Sequence, residues 1–140
     1  MKFIVNRAEA ETKSFTQPGT YTVTIAAVKE AALDRNGDPV TTVTFRGDQG
    51  EVISDRYQAK PNQIWKLQKL VAVTALPIED GEEFDFSRSG ALTAFLTRFV
   101  NQRLTVTLET EAYTKKDGTE GSAMRIRGMA KAAAQVDEAY

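Results

Sequence analysis

The stretch PNQIWKLQKLVAVTAL, residues 61–76, decides how the rest of the chain is read. Pro61 suits a first helical turn, where a missing amide N–H costs nothing. Ile64, Leu67, Val71 and Thr74 with Ala75 recur at helical spacing and form one apolar face. Gln63, Lys66, Gln68 and Lys69 supply polar positions beside that face, and Pro77 stops the run. The spacing predicts a helix over 61–76. Trp65 lies about 100° around it from Ile64, on the flank of the apolar face. It is expected to pack against neighbouring elements and not to stack on a ligand.

Working outward from this helix, three strand-like runs precede it and two follow. Residues 20–29 alternate, with Tyr21, Val23, Ile25 and Ala27 on one side and Thr22, Thr24 and Ala26 on the other. The loop at 34–39 contains Asn36-Gly37, which supplies the positive φ angles of a tight turn. Residues 40–46 form the second strand, in which Phe45 belongs to the core, and 51–57 form the third. After the helix, Leu92, Phe95, Leu96 and Phe99 recur at i, i+3, i+4 and i+7, which predicts a second, shorter helix over 89–100 with a buried aromatic stripe. Residues 102–111 alternate Leu104, Val106 and Leu108 against Arg103, Thr105, Thr107 and Glu109. A hairpin carrying Asp117-Gly118 leads into the last strand, 122–129. There Met124, Ile126 and Gly128 are expected on one face and Ala123, Arg125, Arg127 and Met129 on the other. Before the first strand, Phe3-Ile4-Val5 reads as a short β-like run, and Phe15 is placed to tuck beneath the strands.

Three strands, a helix and two strands is the element order of an OB-fold, a small Greek-key barrel that binds oligonucleotides or oligosaccharides. The expected fold is mainly β with helices. It is a five-stranded OB-fold-like Greek-key barrel with a helix between strands three and four and a second short helix. Residues 1–18 read as an N-terminal arm, 19–129 as the domain and 130–140 as an alanine-rich C-terminal tail, helical for a turn or unstructured.

Composition removes several chemistries. A chain of 140 residues suits one domain. It holds no His and no Cys, so the usual zinc sites, a Ser-His-Asp triad and a Cys nucleophile are absent. Neither a P-loop nor a Rossmann glycine fingerprint is found. The acidic run Glu79-Asp80-Gly81-Glu82-Glu83 with Asp85 offers carboxylates to a hard cation, but it reads first as a solvated loop. The expectation is a non-enzyme without cofactor or metal. No apolar run reaches the roughly 20 residues of a membrane span, and the first residues lack a signal-peptide core. A cytoplasmic location is expected, with no membrane partner. The net charge is −1, so any nucleic-acid face must arise from segregated charge.

The run GTYTVTI at 19–25, Asn36-Gly37 before a second strand, Trp65 in a helix and KKDG at 115–118 before a closing strand together resemble the small single-stranded-DNA-binding proteins of bacteriophages. The resemblance covers about 19–129 and implies an OB-fold that coats single strands in replication and recombination, inside the host cell. A homo-oligomer and other replication or recombination proteins are further partners open to such a protein. The alternative is a structural or assembly protein that uses the same small barrel without nucleic acid.

A sequence-tolerant binder of single strands needs cations for phosphates and flat side chains for bases. The candidate cations are Arg46, Arg56, Lys60, Lys115, Lys116, Arg125 and Arg127. Arg125 and Arg127 share one strand face, where the competing reading pairs them with Glu109 or Glu111. The candidate stacking residues are Tyr57 and Tyr113, with core packing as the competing reading for Tyr57. Convergence of the cations on one face favours the binding module, and scatter favours the structural protein.

Overall fold

Thr, Val and Ile dominate the strand-like runs because β-branched side chains pack well on a pleated surface. The computed structural model describes residues 1–2 and 13–132 and is mainly β, with two helices. The strands are β1 (Lys13–Ser14), β2 (Gly19–Ala31), β3 (Val40–Gly47), β4 (Glu51–Tyr57), β5 (Arg103–Thr114) and β6 (Glu120–Lys131). Helix α1 is Ile64–Val73, entered through a 3-10 turn at Pro61–Gln63, and α2 is Ala91–Thr97. The strands form one mixed sheet in the order β1-β4-β3-β2-β5-β6. Every pairing is antiparallel except the parallel contact of β1 with β4.

The sheet is open, where the element order predicts a closed five-stranded barrel. Among the described residues, the first two residues of β4 pair with β1, and β6 pairs only with β5. Helix α1 stands at the seam between β4 and β6. It packs on β6, and the Lys66 ammonium ties it to β4 by donating to Asp55 Oδ1 at 3.2 Å and to the Arg56 carbonyl. The sixth strand comes from the segment read as an arm. The Phe15 amide donates to the Val52 carbonyl, and the Phe15 ring is buried against Tyr21 at 4.8 Å between ring centres. The run at Phe3-Ile4-Val5 and residues 133–140 lie outside the described residues. Residues 130 and 131, read as tail, continue β6.

One core lies between the sheet and the two helices. Val23, Ile25, Val43, Phe45, Leu104, Val106 and Leu108 enter it from the strands, and Leu67, Leu70, Leu92, Phe95, Leu96 and Phe99 from the other side. The expected alternation therefore holds on β5, and the aromatic stripe of α2 is core. On α1 the buried face is Leu67, Leu70 and Val73, while Ile64 is exposed. The helix is shorter than 61–76 because Thr74 is already extended, its hydroxyl donating to the Leu70 carbonyl at 2.8 Å.

Two β-bulges shift the inside–outside parity, as an extra residue on one strand must. On β2 the register slips between Ile25 and Ala27, so Val28 turns inward and Ala27 and Lys29 turn outward. On β6 it slips opposite Thr107 and Leu108. Ile126 and Met129 are then both packed against the core, and Gly128 lies opposite Thr107, which corrects the expected placements of Gly128 and Met129. Among the described residues, no helix is long and apolar enough to cross a membrane.

Candidate functional site

Opposite residues in an antiparallel pair share a face, so the registers give the outer surface row by row. One row runs Lys29 on β2, Thr42 on β3 and Arg56 on β4. The next runs Ala27, Thr44 and Ser54, with the Thr44 and Ser54 hydroxyls 3.2 Å apart. A third runs Arg103 on β5, Thr24, Arg46 and Val52. These three rows hold four cations, several hydroxyls and no carboxylate. Lys29, Arg46 and Arg56 are exposed and make no ion pair among the described residues. Arg103 reaches Asp48 at 3.9 Å, a contact between two exposed groups that leaves most of its charge available. With strands about 4.8 Å apart and about 3.3 Å per residue, Lys29 and Arg56 lie roughly 10 Å apart across the sheet, and Arg46 about 13 Å further along.

The outer face of β5 and β6 differs. Arg125 and Arg127 point outward as expected, but they meet Glu109 and Glu111. Arg125 Nε lies 3.8 Å from Glu111 Oε2 and Arg127 Nε 4.0 Å from Glu109 Oε2, and Arg127 Nη2 also donates to Glu111. Two cations and two carboxylates cancel on this patch. Tyr113, at the far end of the same strands, is 43% exposed and lies opposite Gly121. A Cβ on Gly121 would come within 2.7 Å of the Tyr113 ring and 2.9 Å of Lys115 Cε, so only glycine lets the ring and the lysine stem lie over the strand. Lys115 and Lys116 extend to the hairpin tip, where Asp117 accepts from the Thr119 amide and hydroxyl.

Two expected site residues are unavailable. Tyr57 is 0% exposed, so no base can stack on it, and it is a core residue. Burial, with Asp55 nearby, pushes its hydroxyl far above the usual phenol range, and that hydroxyl has no hydrogen-bond partner among the described residues. The Lys66 ammonium lies 4.5 Å from the centre of its ring. Lys60 is held between Asp34 at 3.0 Å and Asp38 at 3.1 Å, and both contacts raise its pKa. Asp34 also accepts from Gln58 Nε2 at 2.8 Å and from the Asn36 and Asp38 amides. The Gln58 bond leads in holding its carboxyl well below the usual range. Lys60 therefore clamps the loop between β2 and β3.

Sequence reasoning missed Lys29, Arg103 and Trp65. Lys29 reads as inward by strict alternation, and only the bulge at Ile25/Ala27 turns it out; that bulge has no clear sequence mark. Trp65 is 67% exposed, contrary to the expected packing. Its signal was present: Gln68, Lys69 and Ala72 follow it at i+3, i+4 and i+7, a stripe too polar for a core. The acidic loop gathers no cation site, since no group of three potential ligands converges among the described residues. Glu82 accepts from the Glu79 amide and Asp85 from the Ser87 amide instead.

Compared with known proteins, the chain matches no family model, and no curated protein is significantly similar to it.

Proposed function

We propose that this protein is a non-enzymatic single-stranded-DNA-binding protein of the bacteriophage replication or recombination type, built on an OB-fold-like barrel with one unpaired seam. The observation that carries the reading is the outer face of β2, β3 and β4, which holds Lys29, Arg46 and Arg56 without carboxylates or ion pairs among the described residues, whereas Lys60, Lys115, Lys116, Arg125 and Arg127 lie elsewhere. The strand order β4-β3-β2-β5-β6 supports the fold half of the proposal, because a five-stranded, partly open Greek-key barrel binds oligonucleotides across its second and third strands, here β3 and β4.

In this reading phosphates follow the three cations, with Arg103 as a fourth. Thr24, Thr42, Thr44 and Ser54 donate hydroxyl hydrogen bonds to phosphate or sugar oxygens between them. These contacts carry no base information, so binding is sequence-tolerant. Tyr113 and the lysines of the β5–β6 hairpin extend the path, Tyr113 as a stacking platform. A fluorescein-labelled oligo-dT titrated at low salt tests the proposal. Binding that an equal length of duplex DNA competes for only weakly supports it. No binding, or equal competition by duplex, sinks it and favours the structural-protein alternative.

A further inference from the structure

At the seam between β4 and β6 lies a cleft of about 990 Å³, at the upper end of the roughly 300–1,000 Å³ of ordinary ligand pockets. One wall is the α1 stripe of Trp65, Gln68, Lys69 and Ala72, and the other is β6 from Met124 to Met129. Ser54 and Asp55 of β4 complete it. Resting on the functional reading above, we infer that this cleft is a nucleobase-binding site in which the Trp65 indole stacks on one base of the bound strand.

Each requirement of such a site is met by a different element. Trp65 presents an open aromatic face, since it is 67% exposed on a helix that Lys66 pins to β4. Met124, Ile126 and Met129 supply a half-buried apolar wall opposite, and thioethers adapt well to flat rings. As an edge strand among the described residues, β6 offers backbone N–H and C=O groups to the edge of a base without selecting which base it is. Lys69 makes no ion pair among the described residues and stands beside the indole to take a phosphate. The path into the cleft is continuous with the outer cation face, because Ser54 belongs both to the Ala27–Thr44–Ser54 row and to the cleft lining, with Arg56 two residues on. A protein strand added to β6 would use the backbone edge but leave the indole and Lys69 without a role.

Trp65 is the single tryptophan of the chain, so its emission reports on this cleft alone. The test follows tryptophan emission of the full chain on adding oligo-dT and, in parallel, the anisotropy of labelled oligo-dT over a salt series for the full chain, Trp65→Ala and Trp65→Phe. The expected result is quenching that saturates together with the anisotropy. Trp65→Ala then weakens binding about 5- to 150-fold, the range for one stacked base, with an unchanged salt slope, and Trp65→Phe recovers part of the loss. Oligo-dT that binds without moving the emission, and binds Trp65→Ala as it binds the parent chain, overturns the inference and leaves the functional reading standing. Emission that changes with protein concentration alone, and not with oligo-dT, marks the cleft as a contact between copies and also overturns it. Absence of any binding removes the functional reading and this inference with it.

Discussion

Replacing Lys29, Arg46 and Arg56 by alanine separates the open cation face from the neutralised one. All three side chains are exposed, so the fold should hold to within about 0.5 kcal/mol per site. Each phosphate contact on a single strand contributes about −0.7 to the slope of log affinity against log salt. These three cations, unpaired among the described residues, therefore account for about 2 units of slope. Across a tenfold rise in salt, the parent protein should lose about 100-fold more affinity than the triple variant. Arg125→Ala with Arg127→Ala behaves differently. Those two arginines already face Glu109 and Glu111, so their removal uncovers two carboxylates. Affinity drops through repulsion, and the slope changes by well under one unit. The assay is anisotropy of a labelled oligo-dT over a potassium chloride series, with circular dichroism confirming the fold. An unchanged slope in the triple variant, or a loss of more than about 1 unit in the double variant, refutes the assignment and moves the contact surface to β5 and β6.

Tyr57→Phe deletes a buried hydroxyl without a partner among the described residues and should raise unfolding free energy by roughly 1 kcal/mol while leaving oligo-dT affinity alone. Lower stability in urea would mean the hydroxyl is bonded. Gly47→Ala places a Cβ 2.7 Å from the Phe15 ring, well inside the roughly 3.5–4.0 Å of a normal carbon contact. It should cost about 1–3 kcal/mol by overpacking, and most of that cost should vanish in a Phe15→Leu background; an equal cost in both backgrounds would show that Phe15 does not sit on Gly47. Asp34 has a folded pKa below its unfolded value of about 3.9, so the unfolded chain takes up the proton first and stability falls as pH drops below about 5. Lys60 is shifted upward, so its contribution is intact below its unfolded value of about 10.4 and is lost only above it. Asp34→Asn should thus flatten the fall in Tm between about pH 5 and pH 2, and an unaltered profile would exclude the Lys60–Asp34 clamp.

Strand positions were legible where side chains alternate without interruption. Leu104, Val106 and Leu108 identify the inner face of β5 from the sequence, and Phe45 does so for β3. Legibility ended at the bulges, because one extra residue inverts every later position and needs no particular side chain. Alternation misplaces Ala27, Gly128 and Met129 for that reason. β1 is two residues long and pairs with β4 across more than 35 positions of sequence, so no local pattern announces it. At the open seam Lys66 of α1 meets Asp55 and the Arg56 carbonyl, contacts that no local pattern announces. The candidate site was half legible. Alternation points Arg46, Arg56, Arg125 and Arg127 outward, and all four are exposed. For Arg125 and Arg127 the sequence also offers Glu109 or Glu111 as partners, as the competing reading, and the cross-strand register decides for it.

The central claim is that the outer face of β2, β3 and β4 receives the single strand. Amide chemical-shift mapping of the isotope-labelled protein with saturating oligo-dT tests it most directly. The largest shifts are expected at Lys29, Thr42, Thr44, Arg46, Ser54 and Arg56, continuing to Trp65 and Lys69 at the cleft. Shifts confined to Glu109, Glu111, Arg125 and Arg127, or a spectrum that oligo-dT leaves unchanged, would contradict it.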